Sequence, residues 1–321
     1  KVKLDGHYTL TEVLLINKPL HITLAHGTII ESISKDKPIA ILSDDVSIIG
    51  PYNFNSIFDS RDNEAIIKST IDISGNFVTI AGLTLESTDQ TKSVIRLIGN
   101  PEIKSFQFSF NMIQKSNIGI SIYPTSSQVI CNDIHINNNM FFDQLSTDID
   151  FNNNANSITY KNTVLIENNI FLRTSTSNPN GEYTHINVCD ANSNDIGNDN
   201  HNSKFILTNN SFYYTDDDSL LIGISFQGKV NADNPKEFSE SMEIYVKNNE
   251  FHGTYCTSML MLFFNKINAK FDKNSFHTIK KERKNNRLDL SCMYFNEEGL
   301  CLAENSGFDY FNLIPYVTNS G

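Results

Sequence analysis

The sequence predicts an all-β protein whose short strands stack as the coils of a parallel β-solenoid. Three observations support this fold class: an apolar segment recurs along the chain, a pair of asparagines lies near its end in several copies, and no segment carries a sustained helical stripe. The composition agrees, because isoleucine and phenylalanine are abundant and favour strands, while the abundant asparagine favours turns.

The recurring segment is clearest in the middle of the chain. VLIENNIF ends at Phe171, FILTNNSF at Phe212 and IYVKNNEF at Phe251. Looser copies end at Leu85, Ile113, Phe141, Phe276 and Phe308. Such a repeat is typical of solenoids, in which each coil buries its apolar side chains only against the neighbouring coils. The repeat count predicts roughly nine or ten coils.

The asparagine pairs predict a tight turn inside each coil. Asparagine tolerates the left-handed backbone conformation better than most residues, so one residue of the turn is expected to adopt it. Asparagine side chains at the same place on successive coils are expected to hydrogen-bond to one another and to the turn backbone. In VLIENNIF, this makes Asn168 and Asn169 rungs of an internal ladder and places Phe171 in the core.

A second strand follows each copy, and several of these strands alternate apolar and polar residues, as half-buried strands do. They occupy residues 93–99, 118–123, 146–151, 183–188, 220–226, 259–264 and 288–294. Strict alternation places in the core Ile95, Leu97, Ile118, Ile120, Ile149, Phe151, Ile186 and Val188. It predicts an outer stripe of Arg96, Ser121, Asp148, Asp150, His185, Asn187 and Ser225, with Lys68 extending it. We expect a polymer to lie along this stripe.

We predict one domain over residues 1–321, with a capping coil region at 1–45 and a tail or cap at 309–321. Long polar insertions on neighbouring coils are expected to form the walls of a binding site. They occupy residues 172–182, 190–203 and 227–241.

Charge and hydropathy restrict the partners. The net charge of −12 disfavours a nucleic-acid backbone or an anionic membrane surface. No apolar run approaches the roughly 18 residues of a membrane-spanning helix, so we expect no membrane insertion.

The sequence begins at Lys1 without a signal peptide. We expect a secreted or cell-surface protein, and the oligomeric state stays open.

The asparagine–phenylalanine series and the opening segment DGHYTLTEVLLINKPLHITLAHGTII resemble the right-handed parallel β-helix proteins of the pectin-lyase-like superfamily. The resemblance covers about residues 1–310, and it implies right-handed coiling with a capping first coil. The superfamily includes lyases, hydrolases, epimerases, tailspikes and adhesins, so the resemblance indicates architecture more than activity.

One segment is similar to polygalacturonase-type glycoside hydrolases of that superfamily. In NNSFYYTDDDSLLIGI, the resemblance implies a catalytic pair at Asp217 and Asp218, while STDID suggests Asp148 and EFHGTY suggests His252. One carboxylic acid would protonate the leaving oxygen and another would activate water. The sequence departs from the pattern, because STDID lies two copies before the pair and His252 directly follows the turn phenylalanine.

Three hypotheses for function therefore stay open: a glycoside hydrolase, a polysaccharide lyase, and a non-catalytic carbohydrate- or surface-binding protein resembling adhesins or tailspikes. The enzyme hypotheses expect an acidic polysaccharide in a groove on the outer sheet face. The candidate catalytic residues are Asp148, Asp150, His185, Asp217 and Asp218. The candidate substrate-binding residues are Lys68, Arg96, Arg173, Asn187 and His252.

A lyase needs a base and a cation to neutralise the uronate carboxylate. Lys68, Arg96, Arg173 and His185 supply the residue types, and a Ca²⁺ ion held by Asp148, Asp150 and Asp190 is the cofactor hypothesis. The alternative is that no cofactor is bound. As surface residues, Asp217 and His185 are expected to tolerate Asp217→Asn and His185→Ala without loss of thermal stability.

Overall fold

The structure is a computed structural model that describes fifteen ranges of the chain. These are residues 1–34, 38–51, 64–87, 91–98, 102–122, 128–151, 157–174, 182–190, 204–214, 220–228, 243–253, 258–263, 268–278, 292–293 and 302–306. Asp217, Asp218, Phe308 and the predicted tail at 309–321 lie outside these ranges.

The described residues form thirty strands and no helix. The first ten are β1 Val2–Leu4, β2 His7–Leu10, β3 Leu14–Ile16, β4 Leu20–Leu24, β5 Ile29–Ser32, β6 Ile39–Ile41, β7 Val46–Ile49, β8 Ile66–Lys68, β9 Ile71–Ile73 and β10 Thr79–Ala81. The next ten are β11 Thr84–Glu86, β12 Ser93–Leu97, β13 Glu102–Ser109, β14 Met112–Gln114, β15 Ile118–Ile122, β16 Gln128–Asn137, β17 Met140–Phe142, β18 Thr147–Phe151, β19 Ser157–Glu167 and β20 Ile170–Arg173. The last ten are β21 Glu182–Asp190, β22 Lys204–Thr208, β23 Ser211–Tyr214, β24 Leu220–Gly228, β25 Glu243–Lys247, β26 Glu250–Gly253, β27 Ser258–Phe263, β28 Asn268–Thr278, β29 Cys292–Met293 and β30 Leu302–Ser306.

The strands pair in parallel, and through β27 each strand that pairs onward joins a strand two or three places later in the chain. The result is three all-parallel sheets. The first sheet runs from β1 through β4 and β7 to β28 and β30, the second from β2 through β5 and β8 to β28, and the third from β3 through β6 and β9 to β29. The long strand β28 pairs with both β25 and β26 and so joins the first two sheets. This arrangement is consistent with the predicted parallel β-solenoid.

Strand register confirms the repeat proposed from the sequence. In the second sheet, Phe141 pairs with Phe171, Phe171 with Phe212, and Phe212 with Phe251. Leu85, Ile113 and Phe276 continue the same column of paired residues. The second strand of each repeat lies in the third sheet, as β12, β15, β18, β21, β24, β27 and β29. Residues of the predicted capping region form β1 to β6 and join the same three sheets.

The two asparagines of each pair have different structural roles. The first asparagine adopts positive φ, as at Asn168 with φ 54° and Asn209 with φ 55°, and is exposed. The second is buried, and its side chain forms the ladder. Six ladder residues follow one another through the molecule: Asn111, Asn139, Asn169, Asn210, Asn249 and Asn274. The prediction that Asn168 is also a rung is wrong, because its backbone conformation turns the side chain to solvent.

The core beside the ladder is a stack of aromatic rings. Phe141, Phe171, Phe212 and Phe251 are buried, and successive ring centroids are 4.9, 4.7 and 4.6 Å apart in near-parallel planes. These spacings match the separation of about 4.7–4.9 Å between neighbouring strands. The strands therefore set the position of the rings, and the rings fill the interior along the axis.

No apolar helix of membrane-spanning length occurs in the part of the chain that the structure describes.

Candidate functional site

The third sheet does not follow the strict alternation predicted from its sequence. Asp148 and His185, which were predicted to lie on the outer stripe, are buried at 0% and 1% relative exposure. The next residues, Ile149 and Ile186, are also buried. A Cβ atom built on Gly119 at the same place in β15 would lie 3.0 Å from the Phe141 ring, so this position faces the core.

The physical reason is a local break in the ladder of paired residues. Residues 147 and 149 of β18 pair with 184 and 186 of β21, while the position between them is skipped. Two successive side chains can then face inward. Ile118, predicted to be in the core, is half-buried and pairs with Thr147. The other predicted core residues of these strands are buried: Ile95, Leu97, Ile120, Ile149, Phe151, Ile186 and Val188.

Asp148 is the centre of a buried polar cluster. Its Oδ2 lies 2.6 Å from His185 Nδ1, and its Oδ1 accepts a hydrogen bond of 2.9 Å from the Tyr183 hydroxyl. The Arg173 guanidinium lies 4.4 Å above the Tyr183 ring and donates to the carbonyl oxygen of Gln144. Arg173 and Tyr183 are each 1% exposed. The cluster therefore brings together three predicted site residues, Asp148, His185 and Arg173, but in the interior.

The electrostatics of this cluster follow from its burial. Removal from water raises the pKa of the Asp148 carboxyl, although hydrogen bonds from His185 and Tyr183 and the charge of Arg173 act in the opposite direction. Burial and the neighbouring Asp148 raise the pKa of the Tyr183 hydroxyl well above its usual value. The Arg173 guanidinium stabilises a charged Asp148, because opposite charges attract strongly in a medium of low dielectric constant.

His185 has one nitrogen in the cluster and one outside it. Nε2 has no hydrogen-bond partner in the described structure, and the ring packs 5.8 Å from Phe171 and 5.5 Å from Phe212, measured between centroids. A general acid or base must come within hydrogen-bond distance of its substrate. In this conformation neither His185 nor Asp148 reaches solvent, so neither contacts a polymer on the outer face. Arg173 is likewise inaccessible to a substrate.

On the third sheet, four residues of the predicted stripe lie in one column of paired positions: Arg96, Ser121, Asp150 and Asn187. Arg96 donates two hydrogen bonds of 2.6 Å to the carboxylate of Asp72. Further along, Asn187 donates to Asp150 at 3.1 Å, and both residues are half-buried. Register places Ser121 between the two pairs, but Ser121 is buried, and its hydroxyl donates to Ser93 Oγ at 2.8 Å. Arg96, Asp150 and Asn187 are thus bonded to other side chains of the same sheet.

The Ca²⁺ hypothesis joined Asp148, Asp150 and Asp190. Both carboxylate oxygens of Asp148 face His185 and Tyr183 in the interior, whereas Asp150 contacts Asn187 at the outer face. The side chain of Asp190 lies outside the description. Within the described ranges, no three histidine, cysteine, aspartate or glutamate residues are grouped so that they could hold a metal ion.

The second sheet carries a continuous row of outward side chains that follow the core residues by one position. We call this the outer row. It consists of Lys68, Glu86, Gln114, Phe142, Leu172, Tyr213 and His252, each paired in register with the next. Six of these are half-buried and Glu86 is buried, whereas the core residues beside them are all buried. Two predicted substrate-binding residues, Lys68 and His252, therefore lie in one row, although not on the sheet expected for Lys68.

The middle of the outer row is aromatic and apolar. Tyr213 stacks on His252, with ring centroids 4.7 Å apart and planes 11° from parallel. Phe142 and Leu172 precede them in register. The adjacent outward column of the same strands is also largely apolar in this part, with Met112, Met140 and Ile170. A patch of this kind on a sheet face is a candidate binding surface.

Polar groups lie at both ends of this patch. Glu86 accepts hydrogen bonds from Gln114 at 2.5 Å and from Lys115 at 3.1 Å. At the other end, Glu250 lies 3.3 Å from His252 Nε2. The patch is therefore bordered by amide and charged groups.

The outer row was not among the predictions from the sequence, although a signal for it is present there. The residue directly after each core anchor is outward, and across four consecutive copies it is Phe142, Leu172, Tyr213 and His252. Of the residues predicted to be catalytic, Asp217 and Asp218 lie outside the described ranges, so their roles stay predictions.

Comparison of this chain with protein-family models, with curated proteins and with solved structures finds no match.

Proposed function

We propose that this protein binds a polysaccharide along the outer row of its second sheet. The observation that carries the proposal is the outward stack of Tyr213 and His252, which continues a line begun by Phe142 and Leu172. Tyrosine presents an apolar ring and a polar edge, a combination suited to a ligand that offers both carbon–hydrogen surfaces and hydroxyl groups.

The spacing of the row also favours a polymer. Strands of one sheet lie about 4.7–4.9 Å apart, so the row offers a similar contact at each coil along the axis. An extended chain of similar sugar units can repeat one contact several times, whereas a small ligand fills only one or two positions. Several weak contacts of this kind add to one binding energy, provided that the ligand reaches all of them together.

Binding is a better-supported function than catalysis by Asp148 and His185. A catalytic carboxylate or imidazole must touch the bond that it breaks, and these two side chains are buried against the phenylalanine stack. This favours the non-catalytic hypothesis. The hydrolase and lyase hypotheses continue as proposals for Asp150, Asp217 and Asp218, with the same polysaccharide as substrate.

We further infer a right-handed parallel β-helix of roughly nine or ten coils, like those of the pectin-lyase-like superfamily. Support for the handedness is general, since connections between parallel strands of one sheet are right-handed in about 98% of cases. Support for the superfamily is the asparagine ladder beside a phenylalanine stack. A polysaccharide partner would place the protein in a secreted or cell-surface location.

The experiment measures binding of the purified protein to a panel of immobilised polysaccharides. Tyr213→Ala is expected to weaken binding about tenfold or more, equivalent to about 1.4 kcal/mol or more. Tyr245→Ala is the matched control, because Tyr245 is a half-buried, outward tyrosine on the first sheet, bonded to Glu243 at 3.0 Å. An equal effect of the two substitutions, or no binding to any polysaccharide, would contradict the proposal.

The same panel tests the enzyme hypotheses. New reducing ends would indicate a hydrolase, and unsaturated products would indicate a lyase. If either product forms with the wild-type protein and is lost in Asp217→Asn while binding is kept, the protein is an enzyme and Asp217 takes part in catalysis.

A further inference from the structure

We infer that the ligand of the outer row is an uncharged polysaccharide that lies parallel to the solenoid axis. This inference rests on the proposed function and specifies its substrate class. It differs from the acidic polysaccharide expected from the sequence, and its basis is the distribution of charge around the row.

Each cation along the outer row has a carboxylate beside it. Lys115 Nζ lies 3.1 Å from Glu86, and His252 Nε2 lies 3.3 Å from Glu250. Lys68 lies between Glu31 and Glu86 in the register of the second sheet. The row therefore presents no excess of positive charge in its described part, on a chain whose net charge is −12.

The arginines predicted to bind a uronate are placed elsewhere. Arg173 is buried against the Tyr183 ring, and Arg96 binds Asp72 on the outer face of the third sheet. A polyuronate on the outer row would bring its carboxylates toward Glu86 and Glu250, and the cations of the row already lie beside carboxylates of the protein. The carboxylates of the ligand and of the protein would repel each other, and this repulsion would weaken binding most at low salt. An uncharged chain avoids the repulsion and keeps the contacts with the aromatic rings.

The direction of the ligand follows from register. The four positions Phe142, Leu172, Tyr213 and His252 lie on successive strands of one sheet, so the line through them runs along the axis. At the usual strand separation, the line is about 14 Å long. A chain crossing the strands obliquely would contact only one or two of the four side chains. Affinity should therefore rise with oligosaccharide length until the line is filled, and then level off.

The experiment compares soluble oligosaccharides of an uncharged β-glucan with those of polygalacturonate, each over a series of lengths and at low and high salt. We expect the wild-type protein to bind the uncharged series with less than about a twofold change between the salt conditions, because no ion pairs are formed. We expect the affinity to increase with length and to fall about tenfold in Tyr213→Ala.

Glu250→Gln provides a gain-of-binding test. Glu250 is exposed and borders the row. Its neutralisation should leave affinity for the uncharged series within about twofold while strengthening the interaction with polygalacturonate at low salt.

The outcomes separate the two proposals. Tighter binding of polygalacturonate than of the uncharged series, lost in Tyr213→Ala, would overturn this inference and keep the proposed function. Affinity that does not depend on length would overturn the axial direction. Failure of every oligosaccharide to bind, with Tyr213→Ala indistinguishable from wild type, would overturn the proposed function and the inference together.

Discussion

Asn169→Ala is the most direct test of the ladder, because its neighbour Asn168 provides an internal control. Asn169 Oδ1 accepts hydrogen bonds from the backbone N–H of Asn139 at 2.9 Å and from the Asn139 side-chain amide at 3.0 Å. Its own amide donates to the carbonyl of Ile136 at 2.9 Å and to Asn210 Oδ1 at 3.0 Å. Alanine removes all four bonds in a buried environment.

The expected loss of stability follows from the polar groups that lose a hydrogen-bond partner. The backbone N–H of Asn139 is buried and loses Asn169 as its acceptor. A buried polar group left unsatisfied costs about 1–3 kcal/mol. Counting this donor together with the weakened bonds of Ile136 and Asn210, we expect Asn169→Ala to lower the free energy of unfolding by about 3–6 kcal/mol. Asn168 is exposed with φ 54°, so Asn168→Ala should cost only about 1–2 kcal/mol. Glycine at 168 should cost close to nothing.

The assay is guanidinium-induced unfolding, combined with hydrogen exchange of the Asn139 amide. In stacked repeats, stability is largely a sum of terms between neighbours, so a defect can open one part of the molecule before the rest. We therefore expect faster exchange at Asn139 in Asn169→Ala and wild-type exchange there in Asn168→Gly. Equal destabilisation by alanine at 168 and at 169 would refute the division of tasks between the two asparagines.

Two further predictions concern the buried cluster. His185→Ala should lower the melting temperature clearly, contrary to the expectation from sequence, because it removes the partner of a buried carboxylate. Asn187→Ala, on the outer face, should change the melting temperature little. A larger loss in Asn187→Ala than in His185→Ala would contradict the burial of His185. Burial raises the pKa of Asp148, so its contribution to stability is fully present below the unfolded-state value of about 3.9 and is lost as pH rises through the folded-state value. The melting temperature of Asp148→Asn should therefore lie furthest below that of the wild type in acid, and the difference should become smaller toward neutral pH. A difference in melting temperature that stays constant across this range would argue against the raised pKa.

The strand repeat could be predicted from the sequence because the asparagine pair and the phenylalanine after it specify both the turn and the strand register. In VLIENNIF and its relatives, the asparagine that tolerates positive φ is followed by the asparagine of the ladder, and the anchor phenylalanine comes two residues later. The local conformation and the stacked core thus agree at each copy. Such agreement between local and global preferences is what makes a fold predictable.

The site was less predictable, because the side on which a residue lies changes with a shift of one position. Asp148 and His185 were assigned to the outer face by alternation, whereas a skipped pair in the ladder turns them inward. The sequence does contain a signal, since glycines occupy the same position in the strands on either side, at 119 and 223. Alternation also could not assign Lys68 to a sheet, because the assignment depends on pairing between strands that are distant in sequence.

The buried cluster has a consequence for how the chain finds its correct order of coils. The six ladder asparagines make the same contacts on every coil, and so do the four stacked phenylalanines. These contacts could therefore also form between coils that are not neighbours in the native order. The contact between Asp148 and His185 differs from those rungs, as it joins two unlike groups on adjacent strands. A chain that skipped one coil during folding would satisfy the ladder and the stack but would bury the carboxylate without its imidazole. We therefore expect the Asp148–His185 contact to make a misordered stack of coils less stable than the correct one.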